Sequence, residues 1–253
     1  MKKYQIAVVM SLLVASLFGC KENLAEKTFM SYNVKNCIGM DGKTDYARVA
    51  GVIDKVNPEV VAIQELDSAA ARSKNLYVLG ELAKLTGMHP TYAPAIDYDG
   101  GKYGIGILSK EIPIRVYRHP LPGREEARML LIAEFKDYVY CCMHLSLTEE
   151  DRMASLPIIR EATSGFNKPL FIAGDWNATP ESPFVQEMQK DFTILNDLHA
   201  FTCPSDTPRV TIDYIALRHT QAINLLHQES QVVQAPVESD HLPVFVGIVW
   251  KNK

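Results

Sequence analysis

Asp175 and Asn177, within Phe171-Ile-Ala-Gly-Asp-Trp-Asn-Ala-Thr-Pro180, set an ionised acceptor two residues from a group that both accepts and donates. Such a pair can hold a metal ion or a polarised water without placing two charges side by side. Gly-Asp-x-Asn is also an ordinary turn sequence, so the tetrapeptide decides nothing alone. Five more places carry polar residues that apolar packing does not require: Asn33, Glu65, His144, Asp213, and Asp240 with His241. Each has a plain reading by itself, such as a surface glutamate after a strand, a satisfied core histidine or an edge-strand aspartate. Together they would be unrelated accidents placed by one fold at the same end of its strands.

The elements that position these residues are legible as apolar patterns. Leu170 to Ala173 is a continuous apolar run that reads as a buried strand, and it delivers Asp175 and Asn177 to the loop at its C-terminal end. That is where α/β folds place their chemistry. Thr28 to Val34 reads as a strand carrying Asn33, and Asp45 to Val56 as a helix stopped by Asn57-Pro58. Val60 to Ile63 is a second buried strand, ending at Gln64-Glu65.

A helix over Ser73 to Leu85 comes next, then short extended pieces at His89 to Ala93, Tyr103 to Leu108, Ile112 to Tyr117, Met129 to Phe135 and Tyr138 to His144. Asp99-Gly100-Gly101 and Lys136-Asp137 are turns between some of them, so this middle third reads as antiparallel. Glu149 to Ala162 is helical. After the Leu170 strand follow a helix around Pro183 to Lys190, strands at Val210 to Leu217 and Gln221 to Leu226, and a last strand from Val244 to Trp250. No repeat or linker interrupts the order, and two packed mixed sheets flanked by helices accommodate it.

Across 253 residues, 47% apolar and 22% charged composition fits one globular domain with a sizeable core. The net charge of -4 supplies no basic excess for non-specific nucleic-acid binding. Residues 1–19 read as a signal peptide: Lys2 and Lys3 precede an apolar stretch from Ile6 to Gly19 that is too short to span a bilayer. Leu17-Phe-Gly-Cys20 resembles a bacterial lipoprotein cleavage box, which implies an exported, membrane-anchored protein lipidated at Cys20, with residues 20–27 as a short tether. Cys37, Cys141, Cys142 and Cys203 are expected as thiols. Adjacent Cys141 and Cys142 should point to opposite faces of their strand.

Ser31-Tyr-Asn33, Val61-Ala-Ile-Gln-Glu65, Tyr103-Gly with Leu108-Ser, Met143-His144, Gly174-Asp-Trp-Asn177, Ile212-Asp-Tyr-Ile215 and Ser239-Asp-His241 stand in order along the chain. Motif by motif they resemble the endonuclease/exonuclease/phosphatase superfamily, over about residues 28 to 249. The resemblance implies an α/β fold of four layers, an α/β/β/α sandwich, over residues 28–253. It also implies divalent-metal-dependent phosphoester hydrolysis, and says little about the substrate.

In those roles the residues make chemical sense. Asn33 and Glu65 are oxygen ligands suited to Mg²⁺ or Mn²⁺, with Ca²⁺ a third choice, and Asp240 is a further ligand or a group behind one. His241 is the expected base and Asp213 the carboxylate that orients it, although the resemblance leaves open whether Asp175 or His241 removes the proton. His144, Asn177 and Tyr103 are expected to donate to the phosphate, and Asp175 to position the attacking water or a second metal. Arg128 is assigned to the phosphate or to an acidic neighbour.

Two departures narrow the reading. Lys35 stands where abasic-site endonucleases of the superfamily carry a carboxylate, and Ile105 where many relatives have asparagine. A duplex-DNA enzyme is thereby disfavoured. The expected substrate is a phosphorylated small molecule, a lipid headgroup or a nucleic-acid fragment, handled by a monomer. The competing class is a binding lipoprotein that keeps the fold without catalysis. The full set of polar residues argues for the enzyme, since a binder needs no such set.

Overall fold

The computed structural model describes residues 24–219 and 222–252. The expected signal peptide and Cys20 lie outside the described residues. One sheet contains β1 (Leu24–Asn33), β2 (Val60–Ser68), β3 (His89–Tyr98), β4 (Gly101–Ser109), β11 (Ile223–Val232) and β12 (Val244–Asn252). Its spatial order is β11-β12-β1-β2-β4-β3. The other contains β5 (Arg115–Leu121), β6 (Arg128–Glu134), β7 (Val139–His144), β8 (Leu170–Asp175), β9 (Phe192–Ile194) and β10 (Asp213–Arg218), in the order β5-β6-β7-β8-β10-β9. Helices α1 (Tyr46–Val56) and α2 (Val78–Thr86) cover the first sheet; α3 (Glu149–Ser164) and α4 (Pro183–Met188) cover the second.

Alternation along buried strands builds this four-layer sandwich. In β7, Tyr140 and Cys142 enter the core between the sheets, while Val139, Cys141 and Met143 enter the core beneath α3 and α4. Such strands read as continuous apolar runs because both of their faces are covered. Phe29 and Phe171 meet across the inter-sheet core at 4.4 Å between ring centroids. Tyr140 Oη donates to the Met30 carbonyl at 2.7 Å, tying one sheet to the other. Each fully buried aromatic side chain contributes about 2–3 kcal/mol of apolar transfer. Asp45 caps α1 by accepting from the Arg48 amide at 2.9 Å, a contact worth about 1 kcal/mol.

Several expectations are corrected. Residues 24–27 are not tether: they pair in register with β12, from Leu24 opposite Lys251 to Lys27 opposite Ile248. The second helix starts at Val78 instead of Ser73, because Lys74 and Asn75 hold positive φ angles of 56° and 59°. Pro183 to Met188 is shorter than expected, and strand β9 carries too few residues to show a pattern. The strand expected at Gln221 to Leu226 runs from Ile223 to Val232. That expected at Val210 to Leu217 begins at Asp213, so Asp213 opens its strand.

Strand direction explains how one edge collects all the polar residues. β1 runs parallel to β2, and β7 parallel to β8, so these strands bring their C-terminal ends to that edge with Asn33, His144 and Asp175. β10, β6 and β12 run antiparallel to them and contribute their starts. Asp213 opens β10, Arg128 opens β6, and Asp240 and His241 lie just ahead of β12.

Candidate active site

Glu65 reaches the site through a β-bulge. Ile63 pairs with Gly106 and Leu66 with Gly104, so Gln64 and Glu65 together face Ile105. Glu65 sits at φ 62°, a left-handed conformation that costs a non-glycine residue about 1 kcal/mol. The bulge also lets the strand continue to Ser68, beyond its expected end.

The loop after β8 is fixed by Trp176, fully buried against Tyr214 at 4.6 Å between ring centroids. Asp175 Oδ1 accepts from the Asn177 amide at 2.9 Å, and Asn177, at φ 48°, donates its side-chain amide to the Leu145 carbonyl at 2.9 Å. One N–H of that amide remains for a ligand. Gly174 is demanded by the strand pairing: at φ 150°, a Cβ there would lie 1.9 Å from the Met143 carbonyl oxygen.

Asp175 is the centre of the cluster. Its Oδ2 accepts from Asn33 Nδ2 at 3.1 Å, and the same amide donates to Glu65 Oε1 at 2.8 Å. Asn33 Oδ1 accepts from the Lys35 amide at 3.1 Å, so the side chain turns its donor into the site and its oxygen away. His144 Nε2 and His241 Nε2 stand 3.6 and 3.7 Å from Asp175 Oδ2, beyond direct hydrogen bonding. His241 Nδ1 lies 2.9 Å from Asp213 Oδ2, which assigns the proton on that nitrogen to the shared bond.

The charges are arranged to favour a cation. Burial raises the Glu65 pKa and the Asn33 hydrogen bond opposes it, while the carboxylates of Asp240 and Asp175 raise it further. Burial by itself would depress His241, but Asp213 and Asp175 outweigh it and hold its pKa well above the ordinary value. His144 goes the other way: burial, reinforced by the Arg128 cation and opposed by Asp175, lowers it to about 4. Burial also raises the Tyr103 phenol. His144 is therefore held in its neutral form near pH 7, whereas the two carboxylates favour the charged form of His241, the expected base.

Arg128, 6% exposed, lies 3.2 Å from His144 Nδ1 and pairs with Glu126 at 3.1 Å. It has the acidic neighbours that were one of its two expected assignments. Asp240 is joined to Lys35 Nζ at 2.9 Å, so it enters the site as half of an ion pair. Ser239 Oγ donates to the Asn33 carbonyl at 2.7 Å and pins the loop bearing Asp240 and His241 to the end of β1. Tyr103 stands opposite Asp67 in β4 and lines a cleft with Glu65.

Sequence reasoning missed Glu125, which accepts from Ser146 Oγ at 2.9 Å and from the Leu147 amide at 2.7 Å. It thereby joins the loop before Arg128 to the loop after His144. The run Arg124-Glu-Glu126 beside Arg128 was the available signal, but its form is that of any solvated loop.

The donor set fits a divalent cation. Asp175, Asp213 and His241 form a buried cluster with ligand atoms within 4.8 Å of one another, Glu65 is joined to Asp175 through the Asn33 amide, and buried Asp213 Oδ1 has no hydrogen-bond partner. Hard oxygens in excess of positive charge suit Mg²⁺ or Mn²⁺.

The sequence matches the model of the endonuclease/exonuclease/phosphatase family over residues 30–241. No curated protein matches it in sequence. Among solved structures, an endonuclease/exonuclease/phosphatase family protein from Bacteroides thetaiotaomicron superposes with TM-score 0.70 at 16% identity, covering 90% of this chain and 96% of that one. The human Nocturnin catalytic domain with bound sulfate gives 0.66 at 15%, covering 92% and 97%. ANGEL2, a 2',3'-cyclic phosphatase, gives 0.67 at 14%, covering 90% and 96%.

Proposed function

Because this chain belongs to the endonuclease/exonuclease/phosphatase family, we propose that it is an active divalent-metal-dependent phosphoester hydrolase. The observation that carries the reading is the His241–Asp213 contact at 2.9 Å, set beside Asp175 in a buried cluster rich in carboxylates. Glu65 would hold the cation, with Asp240 and its Lys35 partner alongside. When bound, the cation supplies charge neutralisation at the phosphate oxygens and a more acidic water.

The protein's own groups do the rest. His241, protonated and held by Asp213, donates from Nε2 to the phosphate or to the departing oxygen. Asp175 Oδ2, facing both histidines, is placed to accept the proton of the attacking water. Neutral His144 and Asn177 donate to the remaining phosphate oxygens, and Arg128 steadies the His144 ring. Asn33 keeps Glu65 and Asp175 aimed at one point through a single amide.

The same reading places the protein outside the cytoplasm, held to a membrane through lipidated Cys20. Support comes from the basic, then apolar leader ending in Leu17-Phe-Gly-Cys20. No helix among the described residues is long and apolar enough to cross a membrane. Hydrolysis is tested with a panel of phosphodiesters and phosphomonoesters assayed with Mg²⁺, Mn²⁺ and Ca²⁺. A wild-type protein that cleaves none of them with any of the three metals is not a hydrolase of this kind.

A further inference from the structure

Lys35, two residues after Asn33, takes two of the oxygens that a cation could otherwise use. Its Nζ lies 2.9 Å from Asp240 Oδ2, and its amide donates to Asn33 Oδ1 at 3.1 Å. The other oxygen of Asp240 is met by Ser239 Oγ at 3.4 Å. Of the two carboxylates expected as metal ligands, Asp240 is thus committed to an ammonium, whereas Glu65 meets the Asn33 amide and enters no ion pair among the described residues.

The lysine is held in place by a costly backbone. Lys35, Asn36 and Cys37 have φ angles of 45°, 51° and 59°, three successive left-handed residues with no glycine among them. Each is disfavoured by the closeness of Cβ to the backbone, and such strain persists only where the surroundings fix it. Asn36 Nδ2 donates to Asp67 Oδ2 at 2.7 Å, and Asn36 Oδ1 accepts from the Asp67 amide at 3.0 Å. Asp67, fully buried, is fixed in turn by Arg72 Nε at 2.8 Å and Nη2 at 2.7 Å. Cys37, also fully buried, donates its amide to the Val34 carbonyl at 2.7 Å. The backbone of Lys35 is therefore set at the cleft that Glu65 also lines.

An ammonium and a divalent cation compete for one carboxylate. On a free loop the lysine would yield, because the ion carries twice the charge. Here an ion that displaced it from Asp240 would face the freed ammonium at close range, on a backbone that cannot retreat, and like charges at that range repel. The ion has an alternative, since Mg²⁺ is commonly held by one or two carboxylates and keeps several waters.

Resting on the hydrolase reading, we infer that Lys35 is a positioning residue that withholds Asp240 from the metal, so that the divalent cation is held loosely, through Glu65 and water. The consequence is a site that fills and empties with the concentration of free ion.

The test reads metal affinity, independently of turnover, by calorimetric titration of Mn²⁺ into the full chain. Lys35→Met should bind Mn²⁺ at least about tenfold more tightly than wild type, the scale on which groups that orient ligands change metal affinity. Lys35→Gly, for which a φ of 45° carries no strain, should show the same gain even if methionine disturbs the loop. Lys35→Arg keeps a cation against Asp240 and should keep the wild-type affinity. Lys35→Met combined with Asp240→Asn has the net charge of wild type and should return to its affinity. The gain should persist in about 1 M KCl, where the screening length falls to ~3 Å and general charge repulsion is suppressed.

The inference is overturned if neither Lys35→Met nor Lys35→Gly binds Mn²⁺ more tightly than wild type, if Lys35→Arg shows the gain, or if the gain disappears in salt. It is overturned equally if the double variant departs from wild type in either direction. A retained gain would not come from Asp240, and a loss would make Asp240 a ligand in spite of Lys35. A wild type that binds no Mn²⁺ would take the hydrolase reading down as well, whereas the other outcomes leave that reading standing.

Discussion

Asp213, the first residue of β10, stands directly opposite Asp175, the last residue of β8, on one rung of an antiparallel pair. Like charges facing each other across strands destabilise a sheet. His241 lies between them, 2.9 Å from one carboxylate and 3.7 Å from the other, and its positive charge offsets the repulsion.

That placement makes His241 and Asp213 one working unit. His241→Ala and Asp213→Asn should each lower turnover by at least about a hundredfold, and the double variant by little more than either. Asp213 raises the His241 pKa, so activity that needs the imidazolium is present below that pKa and falls as pH rises through it. In Asp213→Asn the falling limb should move to lower pH. Additive losses in the double variant, or a rate–pH profile that Asp213→Asn leaves in place, would show independent roles.

Glu65 is the residue through which metal affinity should be most sensitive. Glu65→Gln keeps the shape and the Asn33 contact but removes a charge from a cluster that has too many carboxylates. Calorimetric titration should show Mn²⁺ affinity reduced by at least about tenfold, since the ion prefers charged oxygen donors. Wild-type affinity in the variant would remove Glu65 from the ligand set.

Gly174 tests how tightly the site loop is held against β7. Gly174→Ala forces a Cβ to within 1.9 Å of a backbone oxygen at φ 150°, where neither strand can yield without breaking register. The expected cost is about 3 kcal/mol or more, read as a lower urea midpoint with an unchanged slope. An unaltered midpoint would mean that the two strands are not pressed together as described.

The limits of legibility lie in particular residues. Asp175 and Asn177 are readable because an apolar run points at them and Gly174 marks a close approach. Cys141 and Cys142 are readable because strand alternation sends them into different cores. The bulge at Glu65 carries no glycine, so nothing local announces a left-handed residue inside a strand. Asp213 looked like a residue within a longer strand, because Val210 and Ile212 extend the apolar pattern past the point where hydrogen bonding begins. Lys35, Arg72 and Glu125 acquire their roles only from partners such as Asp240, Asp67 and Ser146, up to 205 positions away in the case of Lys35 and Asp240.

His144 supplies a prediction about stability in acid. Its folded pKa of about 4 lies below the ordinary value of 6.5, because burial and the neighbouring Arg128 disfavour a charged ring. Between those two values the unfolded chain binds a proton that the folded one does not, so stability falls as pH drops from about 6.5 towards 4. The loss reaches at most about 3 kcal/mol at 1.36 kcal/mol per pH unit. Glu65 opposes it, since its raised pKa lets the folded state bind protons more readily than the unfolded one, whereas His241 adds no slope below 6.5. The comparison that isolates His144 is therefore wild type against His144→Gln, which keeps a polar amide and cannot titrate. Urea midpoints measured in chelator at pH 7.5, 5.5 and 4.5 should converge or cross, with wild type losing stability relative to the variant as the solution is acidified. Curves that run parallel over this range would mean that His144 takes up its proton equally readily in both states, and that its ring is not held neutral beside Arg128.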